Sequence, residues 1–149
     1  MNAHSLLTGL ALMFTASAAV AVAPAGACQP VIAKAWIRAA PPGAMMLAGY
    51  ATVRNPCPRA IAVVAVEAAD FGSAMMHETV VENGVSKMRH TDRLALPARG
   101  ELRFAPGGRH LMLMQPRRPL KEGERSVLTL VLADGRRLAA TFSVRRDPP

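Results

Sequence analysis

The stretch His77-Glu78-Thr79-Val80-Val81-Glu82-Asn83-Gly84-Val85-Ser86-Lys87-Met88-Arg89-His90 reads as two short strands joined by a two-residue turn. Asn83-Gly84 is a strong hairpin signal, because both central positions of a type I′ turn require positive φ, which Asn tolerates and Gly adopts freely. Pairing Glu82 with Val85 sets the register, so that Thr79 lies opposite Met88 and His77 opposite His90. Those four side chains then share one face. His77 and Met88 become diagonal neighbours, about 7–8 Å apart at the backbone, close enough for their side chains to converge. A one-residue bulge would send one of them to the other face.

Outward from this hairpin, runs of Val, Ile, Thr and Leu are repeatedly cut by Gly and Pro, and no long helical period occurs. Strands are predicted over 31–38, 46–55, 60–68, 77–82, 85–90, 101–104, 110–115, 127–133 and 137–144. The fold class is therefore all-β, a sandwich or barrel. Asp134-Gly135 gives a second two-residue hairpin signal, Pro41-Pro42-Gly43 a stiff loop, and Pro106-Gly107-Gly108 a tight turn that starts His110 on a strand at the sheet rim. Trp36, Phe71, Phe104 and Phe142 are expected in the core, and Tyr50 on an interior strand.

The chain has 149 residues, 51% of them hydrophobic, with 18 Lys and Arg against 10 Asp and Glu for a net charge of +8. That suits one folded domain plus a processed segment, and excludes both a multidomain enzyme and a disordered basic tail. Leu6 to Val22 is almost unbroken in apolar residues and is followed by Pro24-Ala25-Gly26-Ala27-Cys28. The small Ala25 and Ala27 suit cleavage before Cys28, giving a signal peptide over 1–27 and a periplasmic domain over 28–149. Two other readings are a retained membrane anchor and a degenerate lipobox that acylates Cys28.

Export allows Cys28 and Cys57 to form a disulfide. The closed loop is near 30 residues, for which the chain-entropy account gives roughly 3–4 kcal/mol of stabilisation. One free or lipidated cysteine and one buried thiol is the alternative.

Seven of the nine methionines lie between Met45 and Met114. In His110-Leu111-Met112-Leu113-Met114, strand alternation sends His110, Met112 and Met114 one way and the leucines toward the core. Taken alone, either this segment or the hairpin favours core methionines and an incidental histidine, because Met fills irregular gaps well. Together they reverse that preference. Two imidazoles and two thioethers form a soft, uncharged donor set suited to Cu(I) and poorly suited to Mg(II) or Ca(II). Zinc more often recruits thiolate, imidazole or carboxylate.

His77, ten residues, Met88, twenty-one residues and His110-Leu111-Met112 resemble the PCu(A)C family of periplasmic copper chaperones. His77-Glu78, Gly84-Val85, Lys87-Met88, Pro106-Gly107-Gly108, the run from His110 to Met114, and Pro119-Leu120-Lys121 before Gly123 carry the likeness further, over 31–144. The resemblance implies a cupredoxin-like Greek-key β-sandwich with one exposed Cu(I) held by His77, Met88, His110 and Met112. It also implies a protein that passes copper to an acceptor protein; with no serine nucleophile motif, phosphate-binding glycine loop or paired-carboxylate signature, the chain is expected to be a non-enzymatic carrier, and a monomer. That acceptor is the dinuclear copper centre of cytochrome c oxidase, on its copper-binding subunit, or another periplasmic copper chaperone.

Copper storage or homeostasis is a second reading, and an exported sandwich without metal a third. For Met75, Met76, His90 and Met114, a copper entry path and a packing shell are equally consistent with the sequence, while Met45 and Met46 are candidates to cap the site. The pairs Arg117-Arg118, Arg136-Arg137 and Arg145-Arg146 read as solvated edges, able to steer an acidic partner, and no recognition helix or aromatic platform points to nucleic acid.

Overall fold

Alternating apolar positions broken by turns give ten strands in the computed structural model, which describes residues 28–149. They are β1 Val31–Arg38, β2 Met46–Arg54, β3 Ile61–Ala68, β4 Phe71–Glu82, β5 Val85–His90, β6 Leu94–Leu96, β7 Glu101–Phe104, β8 Arg109–Pro116, β9 Arg125–Leu132 and β10 Arg137–Arg145. The expected signal peptide over 1–27 lies outside the described residues. Among the described residues there is no helix.

The strands follow the order β5-β4-β8-β2-β1-β10-β9-β3-β6, with β7 paired to the second half of β2. Pairing is antiparallel except between β1 and β10. The result is a cupredoxin-like β-sandwich. Its core joins Leu47, Met76, Leu111 and Leu113 from one layer to Val63, Leu128, Leu130 and Phe142 from the other. Burying each such side chain contributes about 1.5–3 kcal/mol. Because alternate residues of β4, β8 and β2 point into this core, their neighbours are forced onto the opposite face.

The hairpin has the expected register. Glu82 pairs with Val85, Thr79 with Met88 and His77 with His90, and Asn83 and Gly84 both take positive φ, 51° and 77°. Elsewhere the structure departs from the sequence reading. Asp134-Gly135 does not close a two-residue turn: Leu132 N–H donates to Arg136 O, leaving 133–135 as a three-residue loop in which Gly135 alone is left-handed, at φ 86°. Strand β4 begins at Phe71, because Gly72, Ser73 and Ala74, weak strand formers, are held by pairing with β8. The three-residue β6 is too short for alternation to reveal.

Phe71, Phe104 and Phe142 lie in the core as expected. Trp36 and Tyr50 are also buried, but they stand outside that cluster and stack with ring centroids 4.7 Å apart. A bulge in β1 between Ala33 and Trp36, where Lys34 takes φ 51°, moves Trp36 into register with Tyr50.

Cys28 and Cys57 are joined by a disulfide across 29 positions. The loop that receives it is organised by the buried Asn55, whose Oδ1 accepts from Cys57 N–H at 3.1 Å and whose Nδ2 donates to Arg59 O and Pro97 O, both at 2.9 Å. Replacing both cysteines by Ser is expected to lower unfolding stability by about 3–4 kcal/mol in equilibrium denaturation. A loss below about 1 kcal/mol would show that the bridge does not constrain the unfolded chain.

Candidate metal centre

His77, His110, Met88 and Met112 come together on the outer face of β5, β4, β8 and β2. His77 pairs on one side with His90 and on the other with His110. The His77 ring sits edge-on to both, with centroid distances of 5.6 Å to His90 and 5.8 Å to His110. Met112 lies two positions along β8 from His110, and Met88 stands diagonally from His77 on the edge strand.

The donors differ in exposure. His110, expected at a rim, is instead 7% exposed on an inner strand, whereas Met88 is 61% exposed. An open cavity of about 310 Å³ lies over this face, bordered by Thr79, Met88, His110, Met112, Met46 and Tyr50, with Leu47, Ala48 and Gly107 completing its wall. His77 flanks this cavity and does not line it. Thr79 borders the cavity beside Met88, as the hairpin register implies, whereas Tyr50, expected only on an interior strand, is a site neighbour that the sequence did not indicate, because its adjacency to His110 depends on strand order. A larger groove of about 470 Å³, bordered by Pro41, Met45, Pro116 and Leu120, contains no histidine. Size therefore does not locate the donor chemistry.

The hydrogen bonds select imidazole tautomers. His110 Nδ1 lies 3.0 Å from Gly108 O, and a carbonyl can only accept, so Nδ1 carries a proton and, when the ring is neutral, Nε2 keeps its lone pair. The same carbonyl accepts from Thr79 N–H at 3.1 Å, fixing the Pro106-Gly107-Gly108 turn against β4. His90 Nε2 lies 2.6 Å from Asp92 Oδ1, which leaves its Nδ1 unprotonated when the ring is neutral. His77 Nδ1 is buried with no hydrogen-bond partner. An orphaned ring nitrogen is costly unless something else engages it. A soft cation fits that need, and the donor set around it is uncharged.

The carboxylates are largely committed elsewhere. Glu78 pairs with Arg109, Glu82 with Lys87 and Arg89, and Asp70 with Arg118 and Ser126. Arg136, Arg137 and Arg146 are likewise matched to Asp134, Glu67 and Glu122. Four of the six paired arginines, Arg118, Arg136, Arg137 and Arg146, thus form local ion pairs, while Arg117 donates to Phe71 O at 3.1 Å. Among the described residues no three His, Cys, Asp or Glu side chains converge as a metal cluster, so the thioethers must complete any coordination here.

The sequence matches the family model described as "Putative lipoprotein LpqE-like" over residues 31–144. It is 36% identical over 130 residues to "Putative lipoprotein Lxx21020" of Leifsonia xyli, covering 87% of this chain and 76% of that protein. The Cu(I)-DR1885 structure from Deinococcus radiodurans is 34% identical, with a TM-score of 0.63, and covers 78% of each chain. The copper-bound PCuAC domain from PmoF2 is 25% identical, with a TM-score of 0.65, and covers 78% of this chain and 92% of that one. The lipoprotein matches and the disulfide agree on an exported, periplasmic protein. A diacylglycerol thioether would consume the Cys28 sulfur, so a molecule anchored there lacks the bridge to Cys57.

Burial, and then the neighbouring rings of His110 and His90, hold the His77 pKa below its ordinary value of 6.5. The unfolded chain therefore takes up this proton more readily, and the stability the neutral ring contributes is lost as pH falls below 6.5 through the lower folded value. NMR titration of the metal-free protein should place the His77 midpoint below 6.5. A midpoint at or above that value would overturn the description of its surroundings.

Proposed function

The chain belongs to the LpqE-like family and carries the PCu(A)C-type domain of periplasmic copper chaperones, and we propose that it binds one Cu(I) through His77, Met88, His110 and Met112 and delivers it to an acceptor protein. The observation that carries this reading is the orphaned His77 Nδ1 beside a second imidazole with its Nε2 free and two thioethers, with no carboxylate in the set. Neutral nitrogen and sulfur donors suit Cu(I), and thioethers need no deprotonation.

The asymmetry of the set suits transfer. His110 is buried and tethered to the Gly108 carbonyl, while Met88 lies exposed on an edge strand whose every residue faces solvent. An incoming donor displaces Met88 first, while His110 holds the ion until a shared intermediate resolves. Copper enters as Cu(I) and leaves as Cu(I), so the step exchanges ligands without moving electrons. The role is that of a non-catalytic carrier. Among acceptors, the dinuclear copper centre of cytochrome c oxidase is the one we propose, supported by the family resemblance of the donor spacing.

Anaerobic Cu(I) titration should show one tight equivalent. Single changes at His77, Met88, His110 or Met112 should weaken it at least about tenfold, since even ligand-supporting residues commonly contribute that much. Met88→Leu is the cleanest variant, because an exposed substitution should alter stability by less than about 0.5 kcal/mol. Unchanged affinity in all four variants would defeat the site. Failure of the loaded protein to pass copper to the isolated oxidase copper-binding domain would exclude that acceptor.

A further inference from the structure

Of the seven methionines between Met45 and Met114, only Met76 belongs to the hydrophobic core. Core packing therefore does not account for their abundance. With Met88 and Met112 assigned above, Met46, Met75 and Met114 remain on the same outer face.

The strand register places them next to one another. Met114 on β8 lies opposite Met46 on β2 and Ser73 on β4. Met112, two residues back, lies opposite Met75 on β4 and Ala48 on β2. The thioethers thus step across three adjacent strands, with Met112 at the junction to the four-donor site. Met46 and Met114 are directly paired, about 5 Å apart, and Met75 and Met114 are diagonal, about 7–8 Å apart, each pair within reach of long, unbranched side chains, so that Met114 lies between Met46 and Met75 and joins them across β8. The other partner positions carry the small side chains Ser73 and Ala48, leaving room over the sheet for the methionines to lean together. Met46 is 53% exposed and borders the same cavity as Met88, His110 and Met112.

From this placement we propose that Met46, Met75 and Met114 form a second, sulfur-only Cu(I) position beside the four-donor site. The proposal rests on the copper reading and extends it to a second ion. Three thioethers are soft and uncharged, so they select Cu(I) over the harder Zn(II) and Mg(II). Without imidazole the position is the weaker of the two. It serves as a holding place from which the ion moves through Met112, one Cu–S bond forming as another breaks, with no change of oxidation state.

The test is anaerobic Cu(I) titration of the disulfide-bonded protein against a competing Cu(I) chelator, with X-ray absorption of the loaded samples. Wild type should take up two equivalents, the second at least tenfold weaker. The triple variant M46L/M75L/M114L should lose the second and keep the first, Leu being close to Met in volume and well tolerated. His77→Ala should weaken the first equivalent and leave the affinity of the second unchanged, and Met88→Leu provides the same comparison should His77→Ala fold poorly. A single equivalent in wild type under excess Cu(I), or two in the triple variant, would overturn the second position while leaving the four-donor site intact. No binding in wild type would overturn both.

Discussion

Everything at the metal face depends on the pairing of His77, which sits in register with His90 on one side and His110 on the other. In a sheet with one face buried, register is an all-or-none property. A slip of one residue would turn His77 and Met75 into the core and bring Met76 and Ala74 to solvent. The apolar face of β4 and β8 therefore polices the donor face. Met76, Leu111 and Leu113 are buried, and burying them is what holds His77, His110 and Met112 outward. The Asn83-Gly84 turn extends the same register to the edge strand, so that a local backbone preference places Met88.

That arrangement separates two demands that conflict at a transfer site. Holding an ion calls for donors fixed before it arrives, and releasing it calls for a donor that can leave. His110 meets the first through burial and the Gly108 carbonyl, which settles its tautomer. Met88 meets the second on the exposed edge. His77 lies between them, held neutral to lower pH by burial and by its two imidazole neighbours. Charge is kept out of the set because the nearby carboxylates Glu78 and Glu82 are paired with Arg109, Lys87 and Arg89.

The positive balance of the chain takes on a different meaning in the folded state. Arginines adjacent in sequence are distributed among Asp70, Glu67, Asp134 and Glu122. Exposed pairs of this kind contribute little to stability, and they partly neutralise the arginines that the sequence reads as solvated edges. The methionines show the opposite trend. A residue type usually read as core filler is here mostly outside the core, and its clustering follows from strand pairing.

Local chemistry was legible in the sequence. The type I′ turn, the pairing of the hairpin, the alternation in His110 to Met114 and the soft character of the donors all rest on residues close together in the chain, where backbone preference and side-chain period act directly. So did the all-β class and the reach of one disulfide. Beyond that hairpin, tertiary structure alone decided which strand lies beside which. That choice set Tyr50 at the cavity, moved Trp36 beside Tyr50 through a bulge, extended β4 back to Phe71 over weak strand formers, and buried His110 between two neighbours. Each depends on contacts between residues far apart in sequence, where the cooperative burial of one core outweighs local propensity, and no local pattern records the outcome.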